Sequence, residues 1–219
     1  MLTYLLQLSL SLTNFTETFL EKDVIGKNTS KPYFVMFGSE NCPACVFSKP
    51  EFLKAANISE GYINFGYANT KECKNIVFHL GFNSLPSFYL FFNSKTYRYP
   101  LFTRTSKKFI SFISEKICHD VDEIQRDWIE EKGNKILLFE KKLKPTFPFA
   151  VAYSTLYKDN IKFGITNDES IIEEYGKQSS QSVILMFKGN NSSVLEMKEM
   201  NISSLLKKIY QFYEAEEEL

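Results

Sequence analysis

The chain has 219 residues, 44% of them hydrophobic, and its 26 basic and 26 acidic side chains cancel. Such a length suits about two domains of roughly a hundred residues each, and a balanced charge with no basic stripe argues against nucleic acid or an anionic membrane as partner. Four cysteines are too few for a disulfide-stapled miniature domain, and no apolar run is long enough to span a bilayer.

In chain order, residues 1–12 read in two ways. They form the apolar core of a short secretory signal that lacks the positive n-region. Equally, Leu6, Leu8, Leu10 and Leu12 alternate with polar residues, the period of a half-buried strand. Tyr33 to Phe37 is an apolar run of strand length, followed by a helix from Cys42 to Ala56. Next come a strand over Tyr62–Ala68, a helix-compatible stretch Thr70–Leu80 closed by Gly81, and a hairpin of Leu85–Phe92 and Thr96–Leu101 around Asn93 to Lys95. Ser106 to Ile117 places apolar residues at 109, 110, 112, 113 and 117, which is one helix face.

A second series follows. Val121–Lys132 reads as a short helix stopped by Gly133, Lys135–Glu140 as a strand and Pro148–Lys158 as a helix. Ile161–Thr166 is a strand, Glu169–Gly176 a helix and Ser182–Lys188 a strand. A turn at Asn190–Ser193, a strand Val194–Met200 and a terminal helix Ile202–Glu214 complete it. The element order of the first half repeats at about one domain's length, which indicates a duplication rather than a solenoid. Most of the 21 Phe and 12 Tyr fall in strand-like runs, where core packing accounts for them.

The chemistry concentrates between Gly38 and Pro50. Cys42 and Cys45 lie three apart where a helix is expected to begin, and can close into a tight disulfide. The helix N-terminus carries unpaired N–H groups and partial positive charge, which favour a thiolate on Cys42. Pro43 fits the first turn, where its missing N–H costs nothing. The rival is half of a zinc site. That needs two more ligands, and Cys73, His79, Cys118 and His119 do not stand at knuckle spacing. No metal or cofactor is therefore expected. Cys73 and Cys118 read as idle thiols, a pairing between them being unreadable from spacing.

The dithiol helix, Cys42-Pro-Ala-Cys-Val-Phe-Ser-Lys-Pro50-Glu-Phe-Leu-Lys-Ala-Ala56, resembles the Cys-Gly-His-Cys-x-x-x-x-Pro-Glu-Phe-x-x-Ala-Ala of the protein disulfide isomerase family, within the thioredoxin superfamily. Leu12-Thr-Asn-Phe15 is similar to the family's Leu-Thr-x-x-Asn-Phe opening, slightly shortened. Pro86 falls where the family has a cis-proline beside the dithiol, and Arg104 where Gly-Glu-Arg-Thr is common. The resemblance covers residues 8–117. In the second half, Lys135 to Phe139, Pro148 onward, Ile161 to Gly164 and Glu173 to Gly176 match the family's redox-inert domains in order. No cysteine follows Cys118, and Gln181-Ser182 replace the cis-proline. The implied fold is α/β: two tandem thioredoxin-like domains, each a central mixed β-sheet flanked by helices, over residues 8–117 and 118–213, with an acidic tail at 214–219.

By this resemblance Cys42 attacks or is attacked, Cys45 resolves the mixed disulfide, and Pro86 with Leu85 supports substrate backbone. Arg104 would lower the pKa of Cys45 on approach, or else is a solvated charge at a helix start. Three positions depart from the family. Met36 replaces a buried carboxylate whose lysine partner aligns with Phe65, Ala44 replaces a histidine that stabilises the thiolate, and Asn41 replaces a tryptophan. Slow release of mixed disulfides is the expected result.

Asn14, Asn28, Asn57, Asn190, Asn191 and Asn201 each lie two residues before Ser or Thr, where chance would give about two such sites. The last two residues match the Lys-Asp-Glu-Leu retrieval signal and the two before them do not, a solvated helix end being the other reading. Together these point to the endoplasmic reticulum lumen or secretion. The expected function is thiol–disulfide exchange on unfolded or disulfide-containing client proteins, with an oxidase or glutathione as redox partner. The alternative is a chaperone or adaptor with a vestigial dithiol. A glutaredoxin fits less well, since no Gly-Gly follows the Pro86 strand.

Overall fold

A computed structural model describes residues 12–100, 102–175, 181–197 and 201–214. The two readings of the N-terminus therefore fall outside the described residues up to position 11, as does the tail beyond Glu214. The chain divides into two compact units, with the division between Ile113 and Ser114, inside the helix Ser106–Ile117 that is grouped below with the first unit.

The first unit begins with a two-residue strand β1 (Thr13–Asn14) and a short helix α1 (Glu17–Phe19) that widens into a π-helical turn over Leu20–Val24. Then come β2 (Tyr33–Gly38), α2 (Pro43–Ile58), β3 (Asn64–Asn69), α3 (Lys74–Leu80), β4 (Ser87–Phe92), β5 (Lys95–Arg98) and α4 (Ser106–Ile117). The sheet order is β1-β3-β2-β4-β5. β1, β3 and β2 run parallel, while β4 and β5 are antiparallel to their neighbours. A sheet covered on both faces needs apolar residues of both parities, which is why β2 and β4 read as unbroken apolar runs. Val35 and Phe37 enter one cluster with Leu20, Val24, Ile76 and Phe91. Phe34 turns to the other side, its ring 5.4–5.6 Å from those of Phe52, Phe65 and Phe109. Burying each such ring stabilises the unit by about 2–3 kcal/mol relative to exposure.

The second unit holds β6 (Asp122–Glu123), α5 (Arg126–Glu130), β7 (Lys135–Phe139), α6 (Phe147–Leu156), β8 (Lys162–Thr166), α7 (Glu169–Glu174), β9 (Val183–Lys188), β10 (Asn191–Glu196) and α8 (Ile202–Glu214). Its sheet, β6-β8-β7-β9-β10, repeats the first unit's order and directions. The expected helix over Val121–Lys132 is corrected here. Its first part is the edge strand β6, pairing Asp122 with Gly164, and only Arg126–Glu130 is helical. The turn expected at Asn190–Ser193 is also tighter, since β10 already pairs Asn191 with Lys188. Gly189, at φ 57°, supplies the left-handed backbone that this short connection needs. In the first hairpin Asn93 (φ 49°) and Ser94 (φ 59°) form the two-residue loop, so β5 starts at Lys95.

Candidate active site

β2 ends at Gly38 and the chain turns through Ser39 to Asn41 into α2. Cys42 is the N-cap: its backbone is extended, and its Sγ accepts the backbone N–H of Cys45 at 3.1 Å. A sulfur rarely caps a helix, and this one thereby lies where the unpaired amides and the helix dipole favour negative charge. Pro43 occupies the first helical position. Cys42 and Cys45 are joined as a disulfide, with Cα atoms 5.2 Å apart. Cys42 is half-buried and Cys45 is 4% exposed, so one sulfur faces solvent and the other the protein.

Two bonds close the turn beneath. The Gly38 carbonyl accepts from the backbone N–H of Thr70 at 2.9 Å and from its hydroxyl at 3.2 Å. Gly38 also leaves room for the buried sulfur, since a Cβ there would stand 3.1 Å from Cys45 Sγ. The Leu85–Pro86 peptide bond is cis, Pro86 is buried and Leu85 packs half-buried on the core. Phe37 pairs with Ser87, so one further step along the antiparallel register brings Pro86 beside Gly38, at the sheet end that carries the dithiol.

Arg104 is half-buried before α4. Its Nη1 donates to Ser48 Oγ at 3.4 Å, and its guanidinium lies 6.0 Å from the Phe88 ring centroid. Ser48 Oγ in turn donates to the Ala44 carbonyl at 2.7 Å, so Arg104 is tied to the first turns of the dithiol helix. Met36 is 1% exposed and Phe65 8%, both buried on neighbouring strands. Ala44 is half-buried, Asn41 exposed. Val46 and Phe47, beside the dithiol, are exposed apolar residues at 63% and 82%.

The contacts of two residues in this region escaped the motif reading. Glu51 follows the helix proline, and its Oε2 accepts the Ser106 N–H at 2.8 Å, capping α4. Tyr67 reaches the sulfur side of β3, and Gly38 separates it from Cys45. Local spacing carries no signal of these contacts, because Ser106 lies 55 positions from Glu51 and Cys45 lies 22 from Tyr67.

The other cysteines are free and buried: burial pushes the Cys73 thiol up to about 11 and the Cys118 thiol higher still. Among the described residues no cluster of three His, Cys, Asp or Glu is arranged to hold a metal. His79 and His119 are both exposed. In the second unit, α6 starts at Phe147-Pro148 in the place of the dithiol helix, and Ser182 donates to Glu140 where the proline would stand. All six sequon asparagines are exposed: Asn14 on β1, Asn28 before β2, Asn57 near the end of α2, Asn190 and Asn191 at the β9–β10 turn, and Asn201 capping α8 through its side chain.

No protein-family model matches the chain, and no curated protein matches it. Among solved structures, full-length ERdj5 is similar at a TM-score of 0.64 and 12% identity, over 93% of this chain and 33% of that one. ERdj5 form I gives 0.61 at 14% identity, over 93% and 30%. ERdj5 form II gives 0.55 at 12%, over 94% and 30%. The chain spans a third or less of the length of these structures. The shared fold is two tandem thioredoxin-like domains.

Proposed function

We propose that this chain is a thiol–disulfide oxidoreductase of the protein disulfide isomerase type, working through Cys42 and Cys45 on proteins of the secretory pathway. The observation that carries it is the asymmetry of the pair: a half-exposed sulfur capping a helix N-terminus, within disulfide reach of a buried one. In the reduced state the Cys42 thiolate attacks a client disulfide. One client sulfur leaves with a proton, and a Cys42–client disulfide forms. Cys45 then attacks the Cys42 sulfur, the client thiol departs, and the intramolecular disulfide closes. An oxidising cycle runs the same steps in reverse. Pro86 and Leu85 flank the edge on which client backbone would lie, and Arg104, through Ser48, favours the anionic helix start.

The exposed sequons support a location in the endoplasmic reticulum lumen or outside the cell, with an oxidase or glutathione resetting the pair. With apolar Met36 behind the dithiol and Ala44 within it, mixed disulfides are released slowly. The exposed Val46 and Phe47 favour a second reading, in which the chain holds unfolded clients without turnover.

The reduction potential of Cys42–Cys45, read by equilibration in glutathione buffers and mass spectrometry of trapped thiols, tests the proposal. A midpoint near about −180 to −200 mV matches the secretory lumen. A value at or below about −270 mV assigns a reductase or a structural disulfide instead. No exchange at all leaves the client-holding reading.

A further inference from the structure

For a mixed disulfide on Cys42 to be resolved within the chain, Cys45 must attack as an anion, yet Cys45 is 4% exposed. Burial disfavours a thiolate unless a donor reaches it. The charged groups nearby serve this poorly. Glu40, Lys49 and Glu72 line an open cleft of about 720 Å³ whose wall also includes the buried Cys45 and Met36 and the half-buried Tyr67. The two carboxylates oppose an anion, Lys49 is exposed, and the Arg104 guanidinium is engaged with Ser48.

Tyr67 is different. It pairs in register with Met36, which sets both side chains on the face of the sheet that carries Phe34, Phe65 and α2. At Gly38, two residues further along β2, a Cβ would stand 3.1 Å from Cys45 Sγ, 3.4 Å from the Tyr67 hydroxyl and 2.9 Å from its ring. The sulfur and the hydroxyl therefore flank one space that the glycine leaves empty.

We propose that in the reduced protein the Tyr67 hydroxyl donates a hydrogen bond to Cys45 Sγ and stabilises its thiolate for the resolving attack. The proposal rests on the dithiol-exchange reading above. In that step the Cys45 proton leaves through the solvent-open cleft. The Cys45–Cys42 bond forms as the Cys42–client bond breaks, and the client sulfur departs as a thiolate that takes a proton from water. Tyr67 keeps its own proton throughout. Burial, and then the charges of Glu40 and Glu72, hold its phenol above the ordinary value.

The test uses the full chain carrying Cys42→Ser, with alkylation of Cys45 by iodoacetamide followed against pH at the peptide level. Adding Tyr67→Phe is expected to raise the Cys45 titration by about one pH unit, the worth of one hydrogen bond to a charged group. Incorporating 3-fluorotyrosine at position 67, which keeps the ring and strengthens the donor, is expected to lower it. That second substitution decides the matter if Tyr67→Phe does not fold. An unshifted Cys45 profile overturns the proposal. In parallel, glutathionylation of Cys42 is scored in the full chain carrying Cys45→Ser, where no resolving thiol removes the adduct. Its failure overturns the exchange reading itself, whereas normal glutathionylation with an unmoved Cys45 profile removes only the role of Tyr67.

Discussion

Glu51 links two helices through one carboxylate. Lys54 pairs with its Oε1 at 2.5 Å, and the Ser106 amide at the start of α4 donates to its Oε2. These bonds, Lys54 first and Ser106 next, lower its pKa from 4.5 to about 2. A carboxylate whose folded pKa is depressed stabilises the fold above its unfolded pKa, and that contribution is lost as pH falls through the folded one. Glu51→Gln should therefore lower the melting temperature at neutral pH, and the variant and parent should converge as pH falls from 4.5 towards 2. Parallel melting curves at every pH would refute this. At the dithiol, Cys45→Ser should leave mixed disulfides on Cys42 unresolved, so that clients accumulate as adducts on non-reducing gels; absence of adducts would contradict the order of attack. The disulfide of Cys42 and Cys45 was readable here from a spacing of three, whereas the cis bond at Pro86, far along the chain, was expected only from the family resemblance. Glu51 and Tyr67 act on partners brought near by the sheet and by helix packing, and local spacing carries no record of that.

At the scale of elements, the two sheets share a device that periodicity hides. Gly66 on β3 and Gly164 on β8 each pair with the first residue of a two-residue edge strand, Thr13 and Asp122. Two positions further, Phe15 and Ile124 lie over the glycines, so an added Cβ would meet the Phe15 ring at 2.1 Å and Ile124 Cγ2 at 2.7 Å. Phe15 is 8% exposed and Ile124 4%, so neither moves aside cheaply. Gly66→Ala and Gly164→Ala are each expected to cost about 1–3 kcal/mol in urea denaturation through overpacking. A neutral result would mean that the edge strand simply shifts. The same device explains the misread helix over Val121–Lys132. A two-residue strand is too short to show a period of two, whereas the apolar positions Ile124, Trp128 and Ile129 beyond it sit at helical spacing. Strands β2, β4, β7 and β9 and helices α4 and α8 were legible because each buries a full face.

For the whole molecule, the strand order of the first sheet recurs in the second, and the Cys42–Cys45 pair lies in the first unit. Replacing both Cys42 and Cys45 by alanine should abolish disulfide exchange by the entire chain, because the remaining thiols, Cys73 and Cys118, are buried. If that variant still suppresses aggregation of an unfolded client, the holding reading stands independently of redox turnover. The second unit has its own internal marker. Lys135 is 1% exposed; its Nζ donates to the Trp128, Ile129 and Glu131 carbonyls and lies 5.2 Å from the Trp128 ring centroid. An amine so enclosed cannot be acylated until α5 lifts away, just as Cys73 cannot be modified until the first unit opens. One natural residue in each unit thus works as a covalent stopwatch: the rate at which acylating reagent marks Lys135 times the breathing of one copy, and the rate at which maleimide marks Cys73 times the other, with no engineered label in the chain.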